Sequence, residues 1–159
     1  AIPTAEGAIQ LAMEKSSITL HNNNSFVLGA GRVGLTLARR LVGLGSKTYG
    51  VARKARDRAR LEEMGLTPVK FSNLSQEISR ADFIFNTVPA LVLTESVLRE
   101  AAAEALIIDL ASAPGGTDFE AAKELGLKTE LALGLPGKVA PESAGQIMAQ
   151  VILQHLSEG

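Results

Sequence analysis

A glycine-rich turn, Gly29-Ala30-Gly31-Arg32-Val33-Gly34, follows the apolar run Phe26-Val27-Leu28 and opens a segment with Val33, Leu37, Leu41 and Leu44 at helical spacing. A strand that passes through such a turn into a helix restricts the chain to the βα unit of a parallel sheet. Gly29 permits the tight turn, Gly31 lets the backbone approach a pyrophosphate, and Gly34 lets the helix pack closely on the strand. The N–H groups of Ala30, Arg32 and Val33 then face phosphate at the positive end of the helix dipole. Nineteen residues beyond Gly34, where an NAD-binding chain usually carries an acid, stands Arg53, followed by Lys54. A cation there can pair with a ribose 2′-phosphate, which implies a dinucleotide site with NADP preferred and NAD possible. Arg58 and Arg60, further along the same helix, read as a solvated charged face.

Strand and helix patterns alternate along the rest of the chain. Thr4 is placed to cap a first helix with Ala8, Ile9, Ala12 and Met13 on one stripe. Strands are expected at 25–29, 47–53, 67–71, 81–87, 106–110 and 128–133, and helices at 32–44, 54–64, 75–80, 94–100 and 118–125. A final helix carries Ala144, Ile147, Met148, Val151, Ile152 and His155. Near-continuous apolar strands separated by helices predict one doubly wound parallel α/β sheet, a Rossmann-type NAD(P)-binding domain over residues 1–159. The helices at the two ends lie outside this alternation. They are either packing helices or connectors to a further domain.

Three loops are expected at the carboxyl edge of the sheet, where ligands bind in open α/β folds. Asn86-Thr87-Val88-Pro89 closes one strand, with Pro89 forcing a turn. Thr87, Val88 and Pro89 are assigned to the nicotinamide-side ribose, and Asn86 to the substrate side. Leu110 and Ala111 begin a second loop on the cofactor side, and Ser112, Gly115, Gly116 and Thr117 are its candidate substrate contacts. Thr117 or Asp118 caps the helix that follows, and Asp109 either orients the loop or is a satisfied buried carboxylate. Leu135 and Pro136, in the proline- and glycine-rich stretch 134–141, complete the cofactor-side set.

Composition removes several other chemistries. With no cysteine among 159 residues there is no disulfide, thiolate nucleophile or thiolate metal site. A net charge of −1, with no aromatic residues among the arginines of 53–60, argues against nucleic acid as a partner. No apolar run reaches the roughly 20 residues of a membrane span, so no membrane partner is expected and the cytoplasm is the default compartment. His21 and His155 stand far apart and outside any ligand-spaced motif. No metal site and no acid–base pair is visible, and the catalytic residue stays unassigned.

Five segments carry a more specific likeness. IPTAEGAIQLAM (2–13), VLGAGRVGLTLAR (27–39), FNTVPALVLT (85–94), IIDLASAPGGTDF (107–119) and GLPGKVAPESAGQI (134–147) together resemble the C-terminal half of the A-type subunits of the dipicolinate synthase family. The resemblance implies an oxidoreductase of sporulating Firmicutes. It would oxidise a dihydrodipicolinate-type ring, a dihydropyridine dicarboxylate, to dipicolinate with NADP or NAD as hydride acceptor. It also implies the B-type subunit of dipicolinate synthase, flavoprotein-like, as a partner, and a location in the mother cell. An N-terminal substrate domain would precede the present segment, whose first residue is Ala1 rather than Met, and the terminal helices would connect to it. The fragment by itself is expected to be inactive, and a homo-oligomer is left open. Two other functions fit the residues: another two-domain dehydrogenase of 2-hydroxyacid, alanine or shikimate type, and a non-enzymatic nucleotide sensor.

Overall fold

The computed structural model describes residues 2–132. The expected final helix and the loop before it, within 134–159, with Leu135, Pro136 and His155, lie outside the described residues. The elements run α1 (Ile2–Lys15), β1 (Asn24–Leu28), α2 (Arg32–Gly43), β2 (Lys47–Ala52), α3 (Ala55–Glu63) and β3 (Thr67–Lys70). A crossover of two 3₁₀ turns around α4 (Leu74–Glu77) leads to β4 (Phe83–Asn86), α5 (Glu95–Leu98), β5 (Leu106–Asp109), α6 (Phe119–Glu124) and β6 (Lys128–Leu131). All strand pairs are parallel, in the order β3-β2-β1-β4-β5-β6. This is the doubly wound sheet expected, with the strand order reversing between β1 and β4.

Strand side chains alternate between two cores. Val27, Phe83, Phe85, Leu106 and Ile108 pack with residues of α1 and α2 on one face. Phe26, Leu28, Ile84 and Ile107 pack on the other, with Leu74 and Ile78 of the crossover, Leu98 of α5 and Ala121 and Ala122 of α6. Both faces are covered, which is why the strands read as continuous apolar runs.

α1 lays Ala5, Ala8 and Ala12, all fully buried, into the first core. It begins at Ile2, so Thr4 lies inside the helix rather than at its cap. Pro3 is compatible with this, because the first helical turn needs no intrahelical N–H donor. Two residues assigned to apolar stripes face solvent instead: Met13 is 55% and Leu44 40% exposed.

Candidate nucleotide-binding site

Because every strand is parallel, the turns after β1, β2, β4 and β5 emerge at one edge. The glycine turn occupies the point where the strand order reverses, and its three glycines meet three different demands. Gly29 has φ +104, a left-handed conformation that costs an L side chain dearly. A Cβ there would also run into Thr87 Oγ1 and stand 3.0 Å from Val88 Cγ2. At Gly34 a Cβ would collide with the carbonyl oxygen of Gly29 and come within 3.0 Å of its carbon. A Cβ at Gly31 meets nothing within 4 Å, and its φ of −80 suits any residue. Nothing within the described residues therefore requires glycine at position 31, which faces open space at the mouth of α2.

Among the described residues no side chain occupies the start of α2 as a cap. Gly31 is its N-cap, and no acidic residue lies in its first turn. The short helices α5 and α6, by contrast, are capped by Thr94 and Asp118. Asp118 settles the alternative for α6, since its Oδ1 accepts from the N–H of Ala121 at 3.0 Å. Ala30 and Val33 are half-buried beside the turn, and Arg32 is exposed.

Gly34→Ala is expected to destabilise the fold by about 2 kcal/mol, although alanine is the better helix former by about 1 kcal/mol. The obstructing atoms are backbone and cannot rotate away. Urea denaturation measures the loss, and an unshifted midpoint would show that α2 can slide off the turn freely.

Arg53 and Lys54 follow β2 immediately and are exposed. Neither forms an ion pair among the described residues. Arg58 is not simply a solvated residue. Its Nη1 donates to the carbonyl oxygens of Ala52 at 3.1 Å and Arg53 at 2.8 Å, bracing the turn that carries Arg53. The i+5 spacing on a helix that doubles back over its own strand end is the only sequence signal for this contact.

Thr87 ties the second half of the site to the glycine turn. Its N–H and its Oγ1 both donate to the carbonyl of Leu28, at 3.0 and 2.7 Å. Val88 is half-buried and Pro89 exposed; in the neighbouring loop Leu110 is half-buried, Ala111 buried and Ser112 exposed. The substrate-facing expectation for Asn86 and Thr117 is corrected in one respect: both are buried, and their polar atoms bond within the protein. Asn86 Nδ2 donates to Val88 O at 3.0 Å and to Asp109 Oδ1 at 3.1 Å. Thr117 Oγ1 donates to Asp109 Oδ2 at 2.7 Å. Gly115 and Gly116 are buried too. A Cβ at Gly116 would strike Asn86 Nδ2 and lie 2.7 Å from the carbonyl oxygens of Val88 and Ala90, so protein rather than ligand approaches it.

The family described as D-isomer specific 2-hydroxyacid dehydrogenase, NAD binding domain, matches residues 4–111, from α1 to the loop after β5. The chain belongs to this family. Among individual proteins, the A-type subunit of dipicolinate synthase from Bacillus subtilis is 45% identical over 157 residues, covering 99% of this chain and 53% of that protein. The crystal structure of the corresponding dipicolinate synthase subunit from Bacillus halodurans superposes with a TM-score of 0.86 at 47% identity, over 99% of this chain and 55% of that one. The chain thus spans about half the length of these relatives. Quinate dehydrogenase from Corynebacterium glutamicum in complex with NAD shares the fold, at 18% identity and a TM-score of 0.65, over 81% of this chain and 50% of that chain. The domain is therefore of the nicotinamide dinucleotide-binding, oxidoreductase type.

The turn and the start of α2 are compatible with a pyrophosphate, since among the described residues a Cβ at Gly31 meets nothing within 4 Å and no side chain caps the helix. Among the described residues no group of three or more His, Asp or Glu side chains is arranged to hold a metal ion. No described helix is long and apolar enough to cross a membrane.

Proposed function

We propose that this domain binds NADP in preference to NAD, for an oxidoreductase that converts a dihydrodipicolinate-type ring to dipicolinate during sporulation. The observation that carries the nucleotide half of this reading is the contrast among the glycines. Gly29 and Gly34 are required by the protein's own packing, whereas nothing among the described residues requires glycine at position 31, which leaves its backbone open to a ligand. The backbone of Gly31, Arg32 and Val33 would hold the pyrophosphate, and Arg53 and Lys54 the 2′-phosphate. Thr87–Pro89 and Leu110–Ala111 would flank the nicotinamide-side ribose, with Leu135 and Pro136 completing that wall. The bound nicotinamide supplies a hydride acceptor; the chain's own contribution is position.

The substrate class rests on the likeness to dipicolinate synthase. A dihydropyridine becomes aromatic on losing hydride and a proton, so the protein needs to orient the ring more than to activate it. Ser112, exposed at the loop tip, is the hydroxyl donor available to a ring carboxylate from the described part of the substrate side. We extend the proposal to the B-type subunit of dipicolinate synthase as partner and to the mother-cell cytoplasm, on the same likeness.

NADP is expected to bind about tenfold more tightly than NAD, and Arg53→Ala to remove most of that difference. Calorimetric titration of both nucleotides decides the point: equal affinities in the unaltered chain end the case for NADP. Turnover of dihydrodipicolinate by the chain joined to the rest of its protein tests the reaction. Nucleotide binding without oxidation there would leave a sensor rather than an enzyme.

A further inference from the structure

Asp109 is a fully buried carboxylate on the last residue of β5, in register with Asn86 on the last residue of β4. It has no cationic partner among the described residues. Four neutral donors converge on it instead. Oδ1 accepts from Asn86 Nδ2 at 3.1 Å and from the N–H of Ala111 at 3.0 Å. Oδ2 accepts from the N–H of Gly116 at 2.9 Å and from Thr117 Oγ1 at 2.7 Å. Only a side chain with two acceptor oxygens and no donor satisfies this set. Burying such a group is costly, and the core itself does not need it: the preceding residues of β5 fill the same layers with leucine and isoleucine.

What the carboxylate does is join two loops. Ala111, Gly116 and Thr117 belong to the β5–α6 loop. Asn86 carries the connection to the β4–α5 loop, since its Oδ1 also accepts from the N–H of Val88 at 3.0 Å. The carbonyl of Gly116 closes the junction by accepting from the N–H groups of Val92 at 3.1 Å and Leu93 at 2.9 Å. The two loops are thereby one body.

We propose that Asp109 is a positioning residue for the nicotinamide side of the nucleotide site. Acting through Asn86 and Thr117, it holds Thr87–Pro89 and Ala111–Ser112 as a single preformed wall and touches no ligand itself. This rests on the nucleotide-binding function proposed above. The doubly wound sheet consists of two mononucleotide halves, β1–β3 and β4–β6, and Asp109 with its four donors lies in the second. A wall that must be ordered at the moment of binding weakens affinity; one ordered in advance does not.

The test compares whole dinucleotides with their adenosine halves: NADP against 2′,5′-ADP, and NAD against ADP. Asp109→Asn points an amide donor at groups that are themselves donors, which breaks the junction. It is expected to weaken the dinucleotides about tenfold and leave the half-ligands within about twofold. Thr117→Val removes one donor at nearly constant volume, and is expected to weaken dinucleotide binding about threefold, while Thr117→Ser, which keeps the hydroxyl, does not. If Asp109→Asn fails to fold, the Thr117 pair decides. Parallel loss of both ligand classes, or no loss of either, overturns the positioning role. Failure of the unaltered chain to bind any of the four ligands overturns the nucleotide reading, and this inference with it.

Discussion

Gly31→Ala is expected to raise the dissociation constant of the dinucleotide about 100-fold while lowering the unfolding midpoint by only about 2–4 °C. Its added methyl group meets nothing within 4 Å and needs no unusual backbone conformation. The cost to stability is that of exchanging glycine for alanine, a poorer N-cap residue, roughly 0.5–1 kcal/mol. The cost to binding comes from the N–H groups behind that methyl. A phosphate held off by one carbon radius loses two or more charge-assisted hydrogen bonds, each worth about 1.5–3 kcal/mol. Isothermal titration measures the first quantity and thermal unfolding the second. A stable variant that still binds NADP as the parent does would show that no phosphate comes near Gly31. Gly34→Ala is the useful opposite, because there the obstruction is internal and stability falls first.

How much of this was legible in the sequence depends on the range of the interaction. The βα turn was readable because one strand, three glycines and one helix are contiguous, and the sheet because its apolar runs recur with helical spacers between them. The roles of Gly29 and Gly34 follow from that local geometry. The pairing of Asn86 with Asp109 does not, for it exists only once β4 and β5 are neighbours in a defined register. Residues 23 apart in sequence carry no period that reveals them, so Asp109 read as a loop anchor or, the commoner case, as a satisfied buried carboxylate. It is both. Gly116 misled for a related reason. A glycine in a loop at the ligand edge suggests ligand approach, yet here the β4–α5 loop takes the space. Arg58 looked like one more solvated charge until the helix placed it over the end of β2. Leu44 and Met13 follow helical periodicity but fall at the margin of the stripe, where the covering layer stops.

Ala8→Asp is expected to destabilise the domain by about 3–5 kcal/mol, a large part of the roughly 5–15 kcal/mol that a domain of this size usually has. Ala5, Ala8 and Ala12 are small, fully buried side chains in the core cluster that α1 shares with Leu37, Ala38 and Leu41 of α2 and with Phe83, Phe85, Leu106 and Ile108 of the sheet. The crossover helices α5 and α6 pack on the opposite face, so among the described residues α1 is the cover for this half of the sheet. A carboxylate at position 8 would be buried among the apolar side chains of that core. The thermal midpoint should fall by about 10 °C. Gln10→Ala, on the exposed side of the same helix, should leave it within about 1 °C of the parent. If Ala8→Asp unfolded like the parent, α1 would be a connector resting on the domain. The expected loss instead makes α1 part of the domain's own core, in one cluster with Phe83 and Phe85 of β4 and Leu106 and Ile108 of β5, the strands that end in Asn86 and Asp109.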